Sequence, residues 1–314
     1  MFTQFDFYSK IWYKYIYNLV IGVFIMKVAV MTDSNSGLTQ KEGKELGIKI
    51  VPMPFMIDGE EYFEDINLTQ EMFYEKLQGD ANVSTSQPAI GVIMTMWDEL
   101  LEEYDQIVYI PMSSGLSKSC ESALRLAESD YKGKVFVVDN KRISVTQKAS
   151  VFQALELVKE GLTAEEIHEK LLESSMNASI YIMLDTLKHL KKGGRITPAA
   201  AAVGGILKIK PVLKIAGDKL DKFRMMNRTI PNARRILIDA VKEDINGFLK
   251  DIDGRTDNVE IQAAFTGVDR TEVNTLVKEA EEELGLKVTY VDPLSLSVSC
   301  HIGDGAIALT VVKK

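Results

Sequence analysis

The sequence predicts an α/β protein of two units, and three observations carry that reading. Short β-branched runs alternate with helical stretches from residue 26 to the end. The length of 314 residues exceeds one domain at roughly 150 residues each. The apolar share of 46% and charged share of 26% are those of a folded protein with a core, not of a disordered chain. The predicted units are residues 26–160 and 161–314, preceded by an extension, residues 1–25, that matches neither.

In the first unit, Lys27 to Thr32 is an apolar run ending in the turn residues Asp33-Ser34-Asn35-Ser36-Gly37. A helix follows from Thr39 to Leu46 and a strand from Ile48 to Met53. Asp58-Gly59 marks a hairpin turn. Helical spacing resumes at Thr69 to Leu77 and Ile90 to Glu103. The β-branched runs Ile107 to Ile110 and Val135 to Val138 have the length and composition of buried parallel strands. Helices at Lys118 to Glu128 and Ser144 to Lys159 accompany them. A parallel α/β sheet gathers its ligand at the carboxyl ends of its strands.

In the second unit, Thr163 and Glu166 form a capping box for a helix running to Glu173. Ser179 to Leu184 reads as a strand, and Asp185 to Lys192 as a short helix ended by Gly193-Gly194. Thr197-Pro198 opens an alanine-rich helix. Pro211 to Ile215 and Leu220 to Met225 form a strand pair around Ala216-Gly217. A long helix from Pro231 to Phe248 leads to a strand (Val259 to Phe265), a helix (Thr271 to Leu284) and strands at Lys287 to Val291 and Gly305 to Val312.

The extension is set apart by its aromatics: nine of the 25 in the chain lie within residues 1–25. Its uncharged run from Tyr15 to Met26 falls short of the roughly 20 residues needed to span a bilayer. No small-x-small cleavage site follows it, and an interfacial anchor is a further reading. The expectation is that Met26 starts the folded protein. Residues 1–25 would then be disordered or an artefact of the start site, with at most transient membrane contact.

A net charge of −8 argues against general nucleic-acid binding, which needs basic residues to displace counterions. Only Cys120 and Cys300 are present, too few for a disulfide framework, so a cytoplasmic location is expected. With three histidines besides, no metal site and no cofactor is expected.

The chemistry-bearing residues sit in small-polar loops at strand ends and helix starts: Thr32-Asp33-Ser34, Ser84-Thr85-Ser86-Gln87-Pro88 and Ser113-Ser114-Gly115-Leu116-Ser117. Hydroxyls and free N–H groups in such places cradle anions, though each is also an ordinary N-cap. No Gly-x-Ser-x-Gly elbow is present, and bases are scarce, so the serines do not read as nucleophiles. His168 reads as a solvent-side helix residue, His189 as a member of a basic helix end, and His301 as part of a glycine-containing loop.

The stretch Lys188 to Ile196 is a sharp basic feature in an acidic chain. Its Gly193-Gly194 allows close backbone approach, and Arg195 is suited to clamp a phosphate or carboxylate. From Thr197 to Leu207, six of eleven residues are Ala or Gly, a surface that either packs closely or leaves room for a slender apolar ligand.

Taken in order, these pieces resemble the DegV family, the fatty-acid-binding proteins that serve bacterial fatty acid kinase. The resemblance runs from Met26 to about Val312. It rests on Thr32-Asp33-Ser34, Thr85-Ser86-Gln87-Pro88, Ser113-Ser114-Gly115-Leu116-Ser117, Leu190 to Ile196, Leu207-Lys208-Ile209-Lys210-Pro211, Arg228-Thr229 and His301-Ile302-Gly303-Asp304-Gly305. It implies one long-chain fatty acid in a tunnel between two α/β domains. Its carboxylate would be presented to a separate ATP-dependent kinase that makes an acyl phosphate for phospholipid synthesis.

By position, Thr85 and Ser114 would hydrogen-bond the carboxylate, with Ser86 and Ser113 beside them. Arg195, Arg228 and His301 would lie near the head group or face the kinase. No Walker-type loop appears, so the chain itself is not expected to bind ATP or to be an enzyme. Ala89, Thr146, Lys148, Lys118 and Asp304 depart from the family's usual residues. The alternative reading is a stand-alone phosphotransferase or hydrolase acting on a small phosphorylated substrate.

Overall fold

The computed structural model describes residues 26–77, 81–202, 209–215, 220–224, 227–251 and 256–314. The amino-terminal extension, the Ala216-Gly217 turn and the Leu207-Lys208 step lie outside them.

The chain begins with β1 (Val28–Asp33), helix α1 (Gln40–Leu46) and β2 (Lys49–Val51). Thr39 and Glu42 close a capping box at the start of α1. A small antiparallel sheet follows, from β3 (Phe55–Ile57), β4 (Glu60–Tyr62) and β5 (Val83–Thr85), with α2 (Gln70–Leu77) inserted. Its hairpin turns at Asp58 (φ 51°) and Gly59 (φ 91°), the two positive angles a tight two-residue hairpin requires. Then come α3 (Ile90–Leu101), β6 (Gln106–Ile110), α4 (Ser119–Asp130), β7 (Val135–Val137), α5 (Val145–Lys159) and α6 (Ala164–Glu173).

The first sheet has the order β2-β1-β6-β7, parallel throughout. From β1 the chain moves to one side for β2, then returns to the other side for β6. The loops after β1 and β6 therefore flank a topological switch point, where open α/β sheets hold ligands. Asp33, at the end of β1, ties these loops together: its carboxylate accepts the N–H groups of Asn35 (3.0 Å) and Met112 (2.8 Å). Burial pushes Asp33 up to a pKa of about 6.

Helix α6 packs on β6 and β7 of the first sheet, burying Ala164, Ile167 and Leu171 among Val30, Val108 and Ile110. The passage to the second sheet thus comes after Glu173, beyond residue 160, because the apolar face of α6 matches the first sheet's outer face.

The remainder comprises β8 (Ala178–Met183), α7 (Lys188–Gly193), α8 (Pro198–Ala201), β9 (Val212–Ile215), β10 (Asp221–Arg224), α9 (Ile230–Asp251) and β11 (Val259–Phe265). The last elements are α10 (Thr271–Leu284), β12 (Val288–Pro293), α11 (Leu296–Ile302) and β13 (Ile307–Lys313). The sheet order is β10-β9-β8-β13-β11-β12, antiparallel except for the β11–β12 pair. Side chains alternate between its faces. Tyr181, Met183, Leu309 and Val311 pack with Leu237 and Val241 of α9. Ile180, Ile182, Leu213 and Ala308 face the opposite cluster, which includes Met112 and Leu116 of the first half.

Helix α5 touches both sheets, so it is enclosed on two sides. Its Lys148, 5% exposed, is held by Asp292 at 2.9 Å and Glu42 at 3.4 Å, which gives a buried cation the partners it needs. Among the described residues no helix is long and apolar enough to cross a membrane.

Candidate functional site

A cavity of about 310 Å³ lies between the switch-point end of the first sheet and the inner face of the second, within the usual range for small-molecule sites. Met112, Leu116, Ile143 and Val145 wall it from one half. Ile180, Ile182, Ile215, Leu220, Ala264 and Ala308 wall it from the other. One end is polar: Thr85, Ser86, Gln87, Ser117, Lys118, Arg195 and His301. Ser86, Gln87 and Lys118 are also exposed, so this end reaches solvent.

The polar end is assembled from separate elements. Thr85 ends strand β5, and its Oγ1 lies 2.8 Å from Nε2 of His301 on α11. Arg195 follows α7; its Nη1 donates to the Gly193 carbonyl at 2.5 Å and its Nε to that of Leu116 at 3.4 Å. The guanidinium thus bridges the basic loop and the Ser-Ser-Gly-Leu-Ser loop.

Gly193 is required here. A Cβ on it would stand 2.2 Å from His301 Nδ1, so the backbone of α7 forms the floor under the imidazole. Burial, with Arg195 and His189 nearby, pushes His301 down to about 4, leaving it neutral at neutral pH. No carboxylate lines the cavity among the described residues; its charge comes from Arg195 and Lys118. Such an end accepts an anion and an apolar chain behind it.

His301 lies in α11, where a loop was expected. Ser, Val, Cys and His are modest helix formers, and this short helix depends on remote partners. Glu64 Oε2 accepts the first helical N–H, that of Leu296, at 2.8 Å. Tyr74 donates to Ser299 at 3.0 Å, and Ser295 donates to Asn35 at 3.0 Å. Burial raises Glu64 to about 7.

Thr85 also departs from expectation: Ser84 and Thr85 belong to an edge strand, and α3 starts at an Ala89 N-cap that provides no side-chain bond. His189 sits in the first turn of α7 rather than at a helix end, and burial, followed by Lys188 and Lys192, lowers its pKa.

Of the predicted residues, Thr85, Ser86, Arg195 and His301 line the cavity. Ser113, Ser114 and Arg228 are not among its lining residues. Ser113 is fully buried, its hydroxyl accepting from the Gly115 N–H at 3.2 Å. The Ser114 hydroxyl accepts from Lys141 Nζ at 2.7 Å, and its N–H donates to Asp139 at 3.1 Å. Arg228 is exposed ahead of α9. Sequence reasoning did not single out Asn35, Ser144, Ser297 or Thr310, which line the cavity as well. Ser297 was reachable, four residues before His301 and hence on the same helical face.

Comparison with known proteins bears on this geometry. The model of the DegV family, a family of uncharacterised proteins, matches residues 27–314. The chain belongs to the DegV family. A DegV domain-containing protein of Staphylococcus aureus is 30% identical over 290 residues, covering 92% of this chain and 99% of the relative. Another from that organism is 33% identical over 295 residues, covering 91% and 98%.

Solved DegV structures superpose closely. A fatty-acid-binding DegV protein from Thermus thermophilus gives a TM-score of 0.82 at 28% identity, covering 92% of this chain and all of the other. A fatty-acid-binding DegV protein from Streptococcus agalactiae gives 0.80 at 26%, covering 92% and 99%. In this DegV chain, four of the family-like motifs reach the cavity, through Thr85 to Gln87, Leu116-Ser117, Leu190 with Arg195, and His301-Ile302.

Proposed function

We propose that this chain binds a long-chain fatty acid in the cavity and presents its carboxylate to a separate ATP-dependent kinase, which converts it to an acyl phosphate for phospholipid synthesis. The observation that carries the reading is the division of the cavity into an apolar body and a solvent-reaching polar end with cations and no carboxylate. A chain of about 16 carbons, at ~0.8 kcal/mol per buried methylene, gains on the order of 12 kcal/mol before ordering and association costs. Apolar walls therefore supply the affinity, and the polar end has only to keep the carboxylate satisfied.

Thr85 and Ser86 donate hydroxyls to the carboxylate in this reading, with Arg195 balancing its charge. His301 stays neutral and holds Thr85. Ser113 and Ser114 hold the loop that carries Leu116 and Ser117 to the cavity, and exposed Arg228 faces the kinase. Exposure of Ser86, Gln87 and Lys118 supports phosphoryl transfer at the polar end without release of the acyl chain. The protein acts as a carrier in the cytoplasm, and the kinase supplies the nucleotide chemistry.

The test is a lipid extract of protein purified from a bacterial host. Mass spectrometry should find near-stoichiometric long-chain fatty acid, and delipidated protein should rebind it and support acyl-phosphate formation with a partner kinase. Failure to rebind would overturn the reading. Turnover of a phosphorylated substrate by the isolated chain, lost in Arg195→Ala, would favour the phosphotransferase or hydrolase alternative.

A further inference from the structure

Two polar side chains line the cavity with hydrogen-bonding capacity left over. Asn35 is 1% exposed and Ser144 5%. Among the described residues, neither Asn35 Nδ2 nor Ser144 Oγ has a hydrogen-bond partner. They are neighbours across the switch point, because the Ser144 N–H donates to the Asn35 carbonyl at 2.9 Å. Unpaired polar atoms at such depth are costly, so they call for a partner.

The pair is held in place. Asn35 Oδ1 accepts from Ser295 at 3.0 Å and from Ser297 at 2.5 Å, which leaves the other end of the amide for the cavity. Ser144 has φ 57°, an angle uncommon outside glycine, and such strain persists only where the surroundings fix it. Ser297 and His301 are four apart on α11, hence about 5–6 Å between Cβ atoms. The pair therefore belongs to the cavity wall close behind the head-group end.

We infer that Asn35 and Ser144 form a second polar seat in the cavity, which takes an oxygen carried on the acyl chain, a hydroxyl above all. This rests on the fatty-acid reading and adds to it a substrate class: chain-hydroxylated fatty acids. A hydroxyl fits best because it both donates and accepts. Serine hydroxyls can likewise donate or accept, so they satisfy the Asn35 amide in either orientation. Whichever amide atom then faces the cavity, a ligand hydroxyl pairs with it and with Ser144 Oγ. A plain alkyl chain leaves both groups unpaired.

The test measures affinities of delipidated full-length protein for stearate and for monohydroxystearates that differ in hydroxyl position. One isomer, hydroxylated towards the carboxyl end, should bind about tenfold tighter than stearate. Ser144→Gly removes the hydroxyl and suits the positive φ, so it should fold at least as well as the parent. In it, and in Ser144→Ala, the ratio should fall towards one with stearate affinity unchanged or improved.

Stearate binding with no preferred isomer would overturn this inference alone. A preference that survives both substitutions would do the same. A complex in which the carboxylate or an ordered water occupies the Asn35–Ser144 seat would also overturn it. Failure of stearate and every isomer to bind would overturn the fatty-acid reading along with it.

Discussion

Nε2 of His301 stands 2.8 Å from the hydroxyl of Thr85, and the two residues come from opposite halves of the chain. Strand β5 and helix α11 meet through this bond at the solvent-reaching end of the cavity. With His301 held neutral by burial, the bond is neutral, and a bound anion draws its countercharge from Arg195 and Lys118.

Thr85→Val keeps the shape and removes the hydroxyl. We expect fatty-acid affinity to fall about tenfold, the worth of one hydrogen bond to a charged group. The ligand-free melting temperature should change by less than about 2 °C, because Thr85 lies at the end of an edge strand. Isothermal titration and thermal melts on the same preparation check this; a large fall in melting temperature with affinity intact would make Thr85 structural.

Gly193→Ala tests the floor under the imidazole. The added methyl would meet His301 Nδ1 at 2.2 Å, so the ring must move and its bond to Thr85 must break. Overpacking of this kind costs roughly 1–3 kcal/mol. Melting temperature and fatty-acid affinity should fall together. Pairing with His301→Ala, which empties the collision site, should recover most of the stability and little of the affinity.

Much of the fold was legible because local and tertiary preferences agree. The β-branched runs at Val28, Ile107 and Val135 are fully or mostly buried parallel strands, and the capping boxes at Thr39 and Thr163 start helices as spacing predicts. Helix α11 was not legible. Its sequence is a poor helix former, and Glu64, Tyr74 and Asn35, which hold it, lie more than 200 residues away in sequence. The same distance hid part of the site. Motif position found Thr85, Arg195 and His301, but whether a serine lines the cavity depends on local pairing. Ser114 is engaged by Lys141, whereas Ser144 is turned to the cavity by a positive φ that no local pattern announces.

Arg195→Lys separates charge from shape at the polar end. Arginine reaches two carbonyls, those of Gly193 and Leu116, while a lysine ammonium is a point charge without the planar fork. Affinity for a fatty acid should drop by about fivefold to tenfold. Affinity for the fatty alcohol of equal length should stay within about twofold, since it carries no charge to balance. Equal losses for both ligands would mean that Arg195 acts only by holding the two loops.

Opposite shifts of Glu64 and His301 give a pH test with a definite sign. Glu64 is raised to about 7, so from its ordinary value near 4.5 up to about 7 the folded state holds a proton that the unfolded state has lost. Its contribution is therefore most favourable below about pH 4.5 and is lost as pH rises to about 7. His301 is lowered to about 4. Between about pH 6.5 and 4 the unfolded state holds the extra proton, so stability falls as pH drops through that window.

Glu64→Gln should accordingly stabilise the protein above pH 7, on the order of 2 kcal/mol once partial exposure is allowed for, and leave it nearly unchanged near pH 4. The substituted amide still accepts the Leu296 N–H. It also meets Gln70, whose Oε1 has no partner among the described residues and is free to turn towards it. His301→Gln should instead flatten the acid side of the profile. Denaturant melts from pH 4 to 8 read both changes; a Glu64→Gln variant destabilised across the whole range would mean that its charge is needed to cap α11, and that the carboxylate is ionised in the folded protein.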